Sequence, residues 1–314
     1  MVNAQLFKPV AGAICAIALV FGIRHVAGSS SSASSLLGGG GRGGDSLATA
    51  VNQSVECLNG VDKTYLLVAE RYLDSLRGQS PGPKIPSIDS VNPTRCLDGL
   101  TSASGAPEDL EQAMIAYRAA VSTLAPVVEA THAYYEQKDY KDDAFAKGRE
   151  LHTQLVAAFE EHGRASERLR RVIDKVQKEG RAANLEALAA NGKTMSFYIA
   201  QLMNSAQDLV DLVNADQLDT TATLAAATTA IGAYDELKAY EAKTTKEEIE
   251  KATFFSFSSS EFDLLAVQIK ELSRALRDGK KLPESTNRRA PDGSSAKLLD
   301  AYNAAVSSAN RYTR

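Results

Sequence analysis

Tryptophan is absent from the 314-residue sequence, aromatic residues make up only 6% of it, and cysteine occurs just three times. So few cysteines exclude a disulfide-stapled framework as the source of the fold. No uninterrupted apolar run reaches the roughly 17 to 25 residues that a membrane-spanning helix needs. Ala, Leu and Glu are abundant instead, and this composition is typical of helices.

One short apolar run, Val10–Ile23, is followed by a Ser/Gly-rich tract before any periodic pattern begins. The run has the length of a signal-peptide core, which is about 7 to 15 residues, and the tract cannot pack into a core. The sequence therefore predicts a signal peptide or membrane anchor over residues 1–28, a flexible linker over 29–44 and a helical-bundle domain over 45–314.

Two alternatives to cleavage of this leader stay open. Residues 6–26 could remain in the bilayer, with Arg24 reaching back to the membrane surface. Lipidation of Cys15 is the other alternative, although Ile14 and the short apolar stretch before the cysteine make a poor lipidation site. Each form predicts a bacterial cell-envelope protein that is periplasmic or anchored facing outward.

Acidic side chains outnumber basic ones, 39 to 35, and residues 1–44 hold three basic residues but no acid. The folded part is therefore acidic, and no nucleic-acid partner is expected. Arg164–Arg181 is a local exception with seven basic and three acidic residues. It predicts either contact with anionic lipid headgroups or a solvated face with intrahelical pairs such as Glu167 with Arg171.

Beyond the leader, the only cysteines are Cys57 and Cys96. An exported protein with two cysteines is expected to oxidise them, and the loop-entropy model gives such a bridge about 3 to 4 kcal/mol of stabilisation. Two inert thiols are the alternative, because pairing cannot be read from sequence. The sequence therefore predicts, without deciding, a disulfide between Cys57 and Cys96.

Apolar residues recur every three or four positions through most of the folded part. This periodicity predicts an all-α fold, a bundle of long amphipathic helices. The first helix is predicted to begin after an Asp45 cap, and the second after Pro107 with a kink or break near Pro126. The longest helix is predicted from about Asp142 to a stop at Gly180. Its seam is predicted to be Leu151, Leu155, Ala158, His162, Ala165, Leu169, Val172 and Val176.

Fragments of catalytic motifs occur without the partners that their chemistry requires. Gly44–Leu47 spells the GDSL hydrolase signature, but no strand is predicted before it, and the last histidine of the chain is His162. A serine nucleophile needs a base within reach, which this motif lacks. The sequence therefore predicts a protein that is not an enzyme and has no cofactor.

Glu129 and His132 have the Glu-x-x-His spacing by which helical bundles hold metal ions. Such dimetal sites need two of these pairs and two further glutamates, and the chain has one pair, so the two residues are weak metal candidates. A metal- or small-solute-binding bundle that also uses His152 or His162 is the alternative function. For His162, which lies in the apolar seam, a hydrogen-bonded core histidine is the favoured interpretation.

The densest cluster of distinctive residues surrounds Tyr134, Tyr135 and Tyr140. Phenol rings combine apolar area with a hydrogen-bonding tip, so these tyrosines could form a surface for a partner. The favoured alternative is an interhelical turn in which the rings cover the end of the bundle and Asp139 or Asp142 caps the next helix.

Around this cluster the chain resembles a family of uncharacterised bacterial envelope proteins, the YiiG-like lipoproteins (domain of unknown function 3829). The resemblance is carried by these residues: Tyr134-Tyr135, Lys138-Asp139-Tyr140, Asp142-Asp143, Gly148, Leu151-His152, Val51-Asn52, Leu58-Asn59 and Tyr302-Asn303. It implies an exported all-helical domain of unknown function, often lipid-anchored, and supplies no catalytic residues. The sequence as a whole predicts a non-catalytic envelope protein that binds an envelope protein partner or has a structural role.

Overall fold

The computed structural model describes residues 42–77, 97, 106–215, 217–245, 247, 260–280, 282 and 290–312. Within these residues the chain forms seven α-helices and one short 3-10 helix, Asp139–Lys141, and no strand. The α-helices are α1 (Arg42–Arg77), α2 (Glu108–Glu136), α3 (Ala146–Ala190), α4 (Met195–Val213), α5 (Thr220–Lys243), α6 (Ser260–Arg277) and α7 (Ser295–Tyr312). The predicted all-α fold is confirmed.

The described chain forms two compact units where the sequence analysis expected one bundle domain over 45–314. Unit 1 contains Gly41–Val176 and unit 2 contains Gln177–Arg314. Each unit has its own buried apolar cluster. The two cores are therefore described separately.

The core of unit 1 is shared by α1, α2 and the first part of α3. The apolar stripe of α1 is buried at Leu58, Val61, Tyr65, Val68 and Tyr72. On α3 the predicted seam is confirmed except at Val172, which is half-buried, while the next residue, Ile173, is fully buried. Burial of one stripe from each helix supplies most of the driving force for this packing.

Unit 2 is a ring of four helices, in which α4 packs against α5, α5 against α6, α6 against α7, and α7 against α4. The apolar seam of α6 is buried along its whole length: Phe262, Leu265, Ile269, Leu272 and Leu276. Gly279 follows the end of this helix with a φ of 67°, and its N–H donates to the carbonyl of Leu276.

Two predicted helix boundaries are wrong, and of the kink or break predicted near Pro126 the break is absent. Helix α1 begins at Arg42, so Asp45 lies inside it, and α2 continues through Pro126. Pro126 and its neighbour Ser122 are exposed, so water can reach the backbone carbonyl that proline leaves without an N–H partner. Helix α3 runs through Gly180 to Ala190, since one glycine costs a helix only about 1 kcal/mol.

Several predicted features lie outside the described residues. These are the leader, most of the linker 29–44 and Cys96. Cys57 itself is buried on α1, with 1% of its surface exposed. Its pairing with Cys96 stays a prediction. None of the helices in the described part of the chain is long and apolar enough to cross a membrane.

Gln268 links α6 to the turn before α7 and is 2% exposed. Its Nε2 donates to Asp292 Oδ1 at 3.0 Å, and its Oε1 accepts from the N–H of Gly293 at 3.3 Å. Gly293 has a φ of 78°, and a Cβ built there would lie 3.1 Å from the Glu271 carbonyl group. The turn therefore needs both glycine and the glutamine that holds it.

We expect Gln268→Met to lower the free energy of unfolding by about 1 to 3 kcal/mol, because it leaves the Gly293 N–H without its acceptor. Urea unfolding of the variant measures this change. Gln201→Met in the same unit is the matched control, since Gln201 makes its hydrogen bond to Glu236 at the exposed surface. Equal effects of the two substitutions would contradict the role given to Gln268.

Candidate functional site

A network of polar side chains lies inside the otherwise apolar core of unit 1. Asp62 comes from α1 and Tyr117 from α2, while His162, Ser166 and Arg170 follow at four-residue intervals on α3. This spacing places the three α3 residues on one face of the helix. Asp62 is the member that all the others approach, and the set is called the Asp62 network below.

Both carboxylate oxygens of Asp62 are used. Oδ1 accepts from the Tyr117 hydroxyl at 2.9 Å and lies 3.2 Å from His162 Nε2. Oδ2 accepts from the Ser166 hydroxyl and from the Arg170 guanidinium, the latter at 2.5 Å. One carboxylate thus joins the three helices of unit 1.

The environment of Asp62 favours its ionised form. Burial alone would raise the pKa of this carboxyl, but the hydrogen bond and charge of His162, the Ser166 hydroxyl and the Arg170 charge together hold the pKa below its ordinary value. For Tyr117 the direction is reversed, because burial and the neighbouring carboxylate raise the pKa of its phenol. Asp62 is therefore ionised at neutral pH and places a negative charge at the centre of the network.

The network contains an aspartate, a histidine and a serine, but their order differs from that of a nucleophilic triad. Ser166 donates to Asp62, whereas a serine nucleophile must donate to the histidine that serves as its base. His162 is fully buried, with its ring 5.3 Å from that of Tyr65 and 5.6 Å from that of Tyr117. The arrangement is suited to joining helices, and the predicted core position of His162 is confirmed.

Sequence reasoning found His162 and missed its partners. Asp62 follows Val61 in the apolar stripe of α1, and an acid at such a position was a signal of a buried charge. Ser166 and Arg170 continue the four-residue spacing from His162, which was a second signal. Neither signal identifies which helix supplies the partner, because that depends on the packing.

The lowered pKa of Asp62 predicts a loss of stability in acid. Because the folded-state pKa lies below the unfolded one, this contribution is fully present above a pH of about 4 and disappears as the pH falls through the folded-state pKa. We expect the free energy of unfolding to fall more steeply below this pH in the natural protein than in Asp62→Asn. Urea unfolding at a series of acidic pH values tests this, and identical slopes would contradict it.

The tyrosine cluster lies at the turn between α2 and α3. Tyr134 and Tyr135 are buried, at 2% and 8% exposure, and Tyr140 is half-buried. The first two therefore lie in the core and offer no partner surface in this structure. The rings cover the end of the core, as the alternative interpretation predicted. Tyr135 packs between Tyr134 and Tyr140, with ring centroids 5.0 and 6.1 Å away.

The cap of α3 is Asp143, and not Asp139 or Asp142 as predicted. Its Oδ2 accepts from the N–H of Lys147 at 2.9 Å, and its Oδ1 accepts from the Tyr134 hydroxyl at 2.8 Å. The turn before it contains left-handed Lys138, Ala144 and Phe145, with φ between 49° and 65°. These backbone reversals delay the start of α3 to Ala146, so the acid closest to its first turn becomes the cap.

The two metal candidates lie on α2, with Glu129 exposed and His132 half-buried. The described residues include no group of three or more His, Cys, Asp or Glu side chains placed to hold a metal ion. The remaining histidine of unit 1, His152, has its Nδ1 2.6 Å from the Tyr72 hydroxyl, and burial lowers its pKa. No observation in the described chain thus favours the metal-binding alternative.

A row of basic residues lies on the outward face of α3, opposite the Asp62 network. All of its members are exposed, and we call the set the basic line: Arg164, Arg168, Arg171 and Lys175. The predicted pair between Glu167 and Arg171 is not among the ion pairs of the described residues. Arg164 pairs with Glu161 at 2.8 Å, and Lys175 pairs with Asp109 of α2 at 2.8 Å.

Comparison with known proteins identifies the family. A family model described as "Protein of unknown function (DUF3829)" matches residues 47–311. The chain belongs to this family. A relative of this DUF3829 chain is the "Uncharacterized protein YiiG" of Escherichia coli strain K12, which is 27% identical over 182 residues.

The match to YiiG covers 54% of the DUF3829 chain and 52% of YiiG, so the chain spans about half the length of this relative. The resemblance to YiiG-like proteins inferred from sequence is thereby confirmed. No solved structure matches the DUF3829 chain significantly.

Proposed function

We propose that this DUF3829 protein is a non-catalytic, exported helical protein of the bacterial cell envelope that acts by binding an envelope partner through its helix surfaces. The observation that carries the proposal is the way in which Asp62, His162 and Ser166 contact one another in the core. These are the residue types of a hydrolytic site, yet here His162 and Ser166 of α3 both contact Asp62 of α1 within the core, and Tyr117 of α2 donates to the same carboxylate. Outward helix faces are then the surfaces available for function.

The proposed location in the cell envelope is supported by the sequence that precedes the described part. Val10–Ile23 has the length of a signal-peptide core, and the Ser/Gly tract after it would act as a flexible tether. A tether gives a folded unit reach, which suits the binding of a partner near a membrane. The intact mass of the protein from its native host tests this location, because proteins with a cleaved, retained or acylated leader differ in mass.

Partner binding is best tested by photo-crosslinking in living cells. Ile115, Leu264 and Val267 are large apolar residues that are 53%, 46% and 49% exposed, so a photoreactive residue at each is expected to preserve the fold. We expect at least one of these positions to yield a crosslinked product of defined mass. Lys270, an exposed charged residue on the same helix as Leu264, is the control position and should not yield this product.

Reciprocal purification must then recover this DUF3829 protein with the captured partner. Products that are identical at every position, including Lys270, would indicate random encounter and contradict the proposal. The absence of any product while the protein is intact in the envelope would contradict it as well.

A further inference from the structure

We propose that the basic line of α3 binds the headgroups of anionic phospholipids at a membrane surface. The proposal rests on the proposed envelope location and names one surface that the location would bring into use. It starts from the spacing of the four residues, which are separated by four, three and four positions along one helix.

At about 100° per residue, this spacing keeps the four side chains within an arc of roughly 60° over a length of about 17 Å. The core positions of the same segment, including His162, Leu169 and Ile173, lie on the opposite side of the helix and are fully buried. The basic line therefore lies on the face of α3 that is turned away from the unit 1 core. An exposed row of cations on one helix face can contact a flat anionic surface at several points at once.

The charge of the basic line is concentrated in its middle. At the two ends, Arg164 pairs with Glu161 at 2.8 Å and Glu160 at 4.0 Å, and Lys175 pairs with Asp109. Arg168 and Arg171 form no ion pair with any other residue that the structure describes, and both are exposed. These two guanidinium groups therefore remain available for an external anion.

The neighbouring acidic side chains do not cancel this positive charge where the basic line meets a flat membrane surface. Glu160, Glu161 and Glu167 lie roughly 50° to 70° from the centre of the basic line, and Asp174 lies farther round the helix. Their side chains are shorter than those of arginine and lysine, so a plane that touches the line meets the cations first. The guanidinium groups can then pair with phosphate oxygens in a bidentate manner.

The form of the basic line favours a lipid surface over a single phosphate. Adjacent members are separated by about 4.5 to 6 Å of helix rise and extend in parallel, whereas a site for one phosphate needs donors that converge. The whole chain has a formal net charge of −4 even with the four cations of the basic line included, so its remainder is more acidic still and would be repelled by an anionic surface. Attraction at the basic line and repulsion elsewhere would orient α3 along the membrane.

The test compares binding of the full chain to phosphatidylcholine vesicles and to vesicles that also contain phosphatidylglycerol. Neutral vesicles measure any contribution of the N-terminal apolar segment, and the ratio of the two affinities isolates the headgroup charge. We expect Arg168→Gln/Arg171→Gln to reduce this ratio about thirtyfold, from about 1 kcal/mol for each basic residue and 1.4 kcal/mol for each tenfold change. Added salt should reduce the ratio of the natural protein as well.

Lys63→Gln/Arg71→Gln is the matched control, because it removes the same charge from exposed positions on α1. An equal loss in this control would indicate a general charge effect and overturn the proposal. So would the absence of any preference for phosphatidylglycerol, or full competition by inorganic phosphate at equal phosphate concentration. None of these outcomes affects the mass and crosslinking tests, so failure of the lipid site is distinguishable from failure of the proposed function.

Discussion

Replacing Asp62 with alanine is expected to lower the free energy of unfolding by about 3 to 5 kcal/mol, the usual effect of removing one partner from a buried ion pair. The carboxylate accepts from Tyr117, Ser166 and Arg170, and the side chain of Arg170 is only 13% exposed. Without the carboxylate, these donors would remain in the core with no equivalent acceptor. Hydrogen exchange of the α1 amides measures the loss in unit 1 directly.

Asp142→Ala is the control, since Asp142 is an exposed aspartate of the same unit and should change stability by no more than about 0.5 kcal/mol. A second variant, Asp62→Leu/Ser166→Ala/Arg170→Leu, removes the charged pair and the hydroxyl together. We expect it to recover most of the lost stability, because no buried charge is then left unpaired. If Asp62→Ala is as stable as the control, the Asp62 network does not hold the helices together.

The helices of this protein were predictable because their driving force is repeated along the sequence. Each turn of α1 or α6 adds another apolar residue to the same stripe, as Leu265, Ile269 and Leu272 show, so single exceptions do not hide the pattern. Helix ends depend on one or two residues and on their surroundings. Gly180 was expected to end α3, yet the helix continues to Ala190.

The Asp62 network could be predicted only in part, because its members are separated in sequence. Asp62 and Arg170 are 108 residues apart, and nothing local to either residue indicates the other. The same limit applied to Tyr134 and Tyr135, for which the sequence favoured a buried turn but left a surface position open. The structure places both rings against Gly148, on the other side of the turn.

Gly148→Ala is expected to lower the free energy of unfolding by about 1 to 3 kcal/mol, the cost of overpacking a filled core. A Cβ at this position would lie 2.9 Å from Cε1 of Tyr134 and 3.1 Å from the hydroxyl oxygen of Tyr135. Tyr134 cannot easily move away, because its hydroxyl donates to Asp143 and its ring packs edge-on against Tyr135. Thermal and urea unfolding of the variant measure the change.

Gly60→Ala on α1 is the matched control, because the same substitution is expected to stabilise the protein at that position. Nothing lies within 4 Å of a Cβ at Gly60, so alanine should raise stability by up to about 1 kcal/mol through its higher helix propensity. Because Gly148 is also helical, alanine brings the same propensity gain there, and only the contact with the tyrosines opposes it. A stabilised Gly148→Ala would therefore show that Tyr134 and Tyr135 yield readily, and that the turn is less tightly packed than the structure indicates.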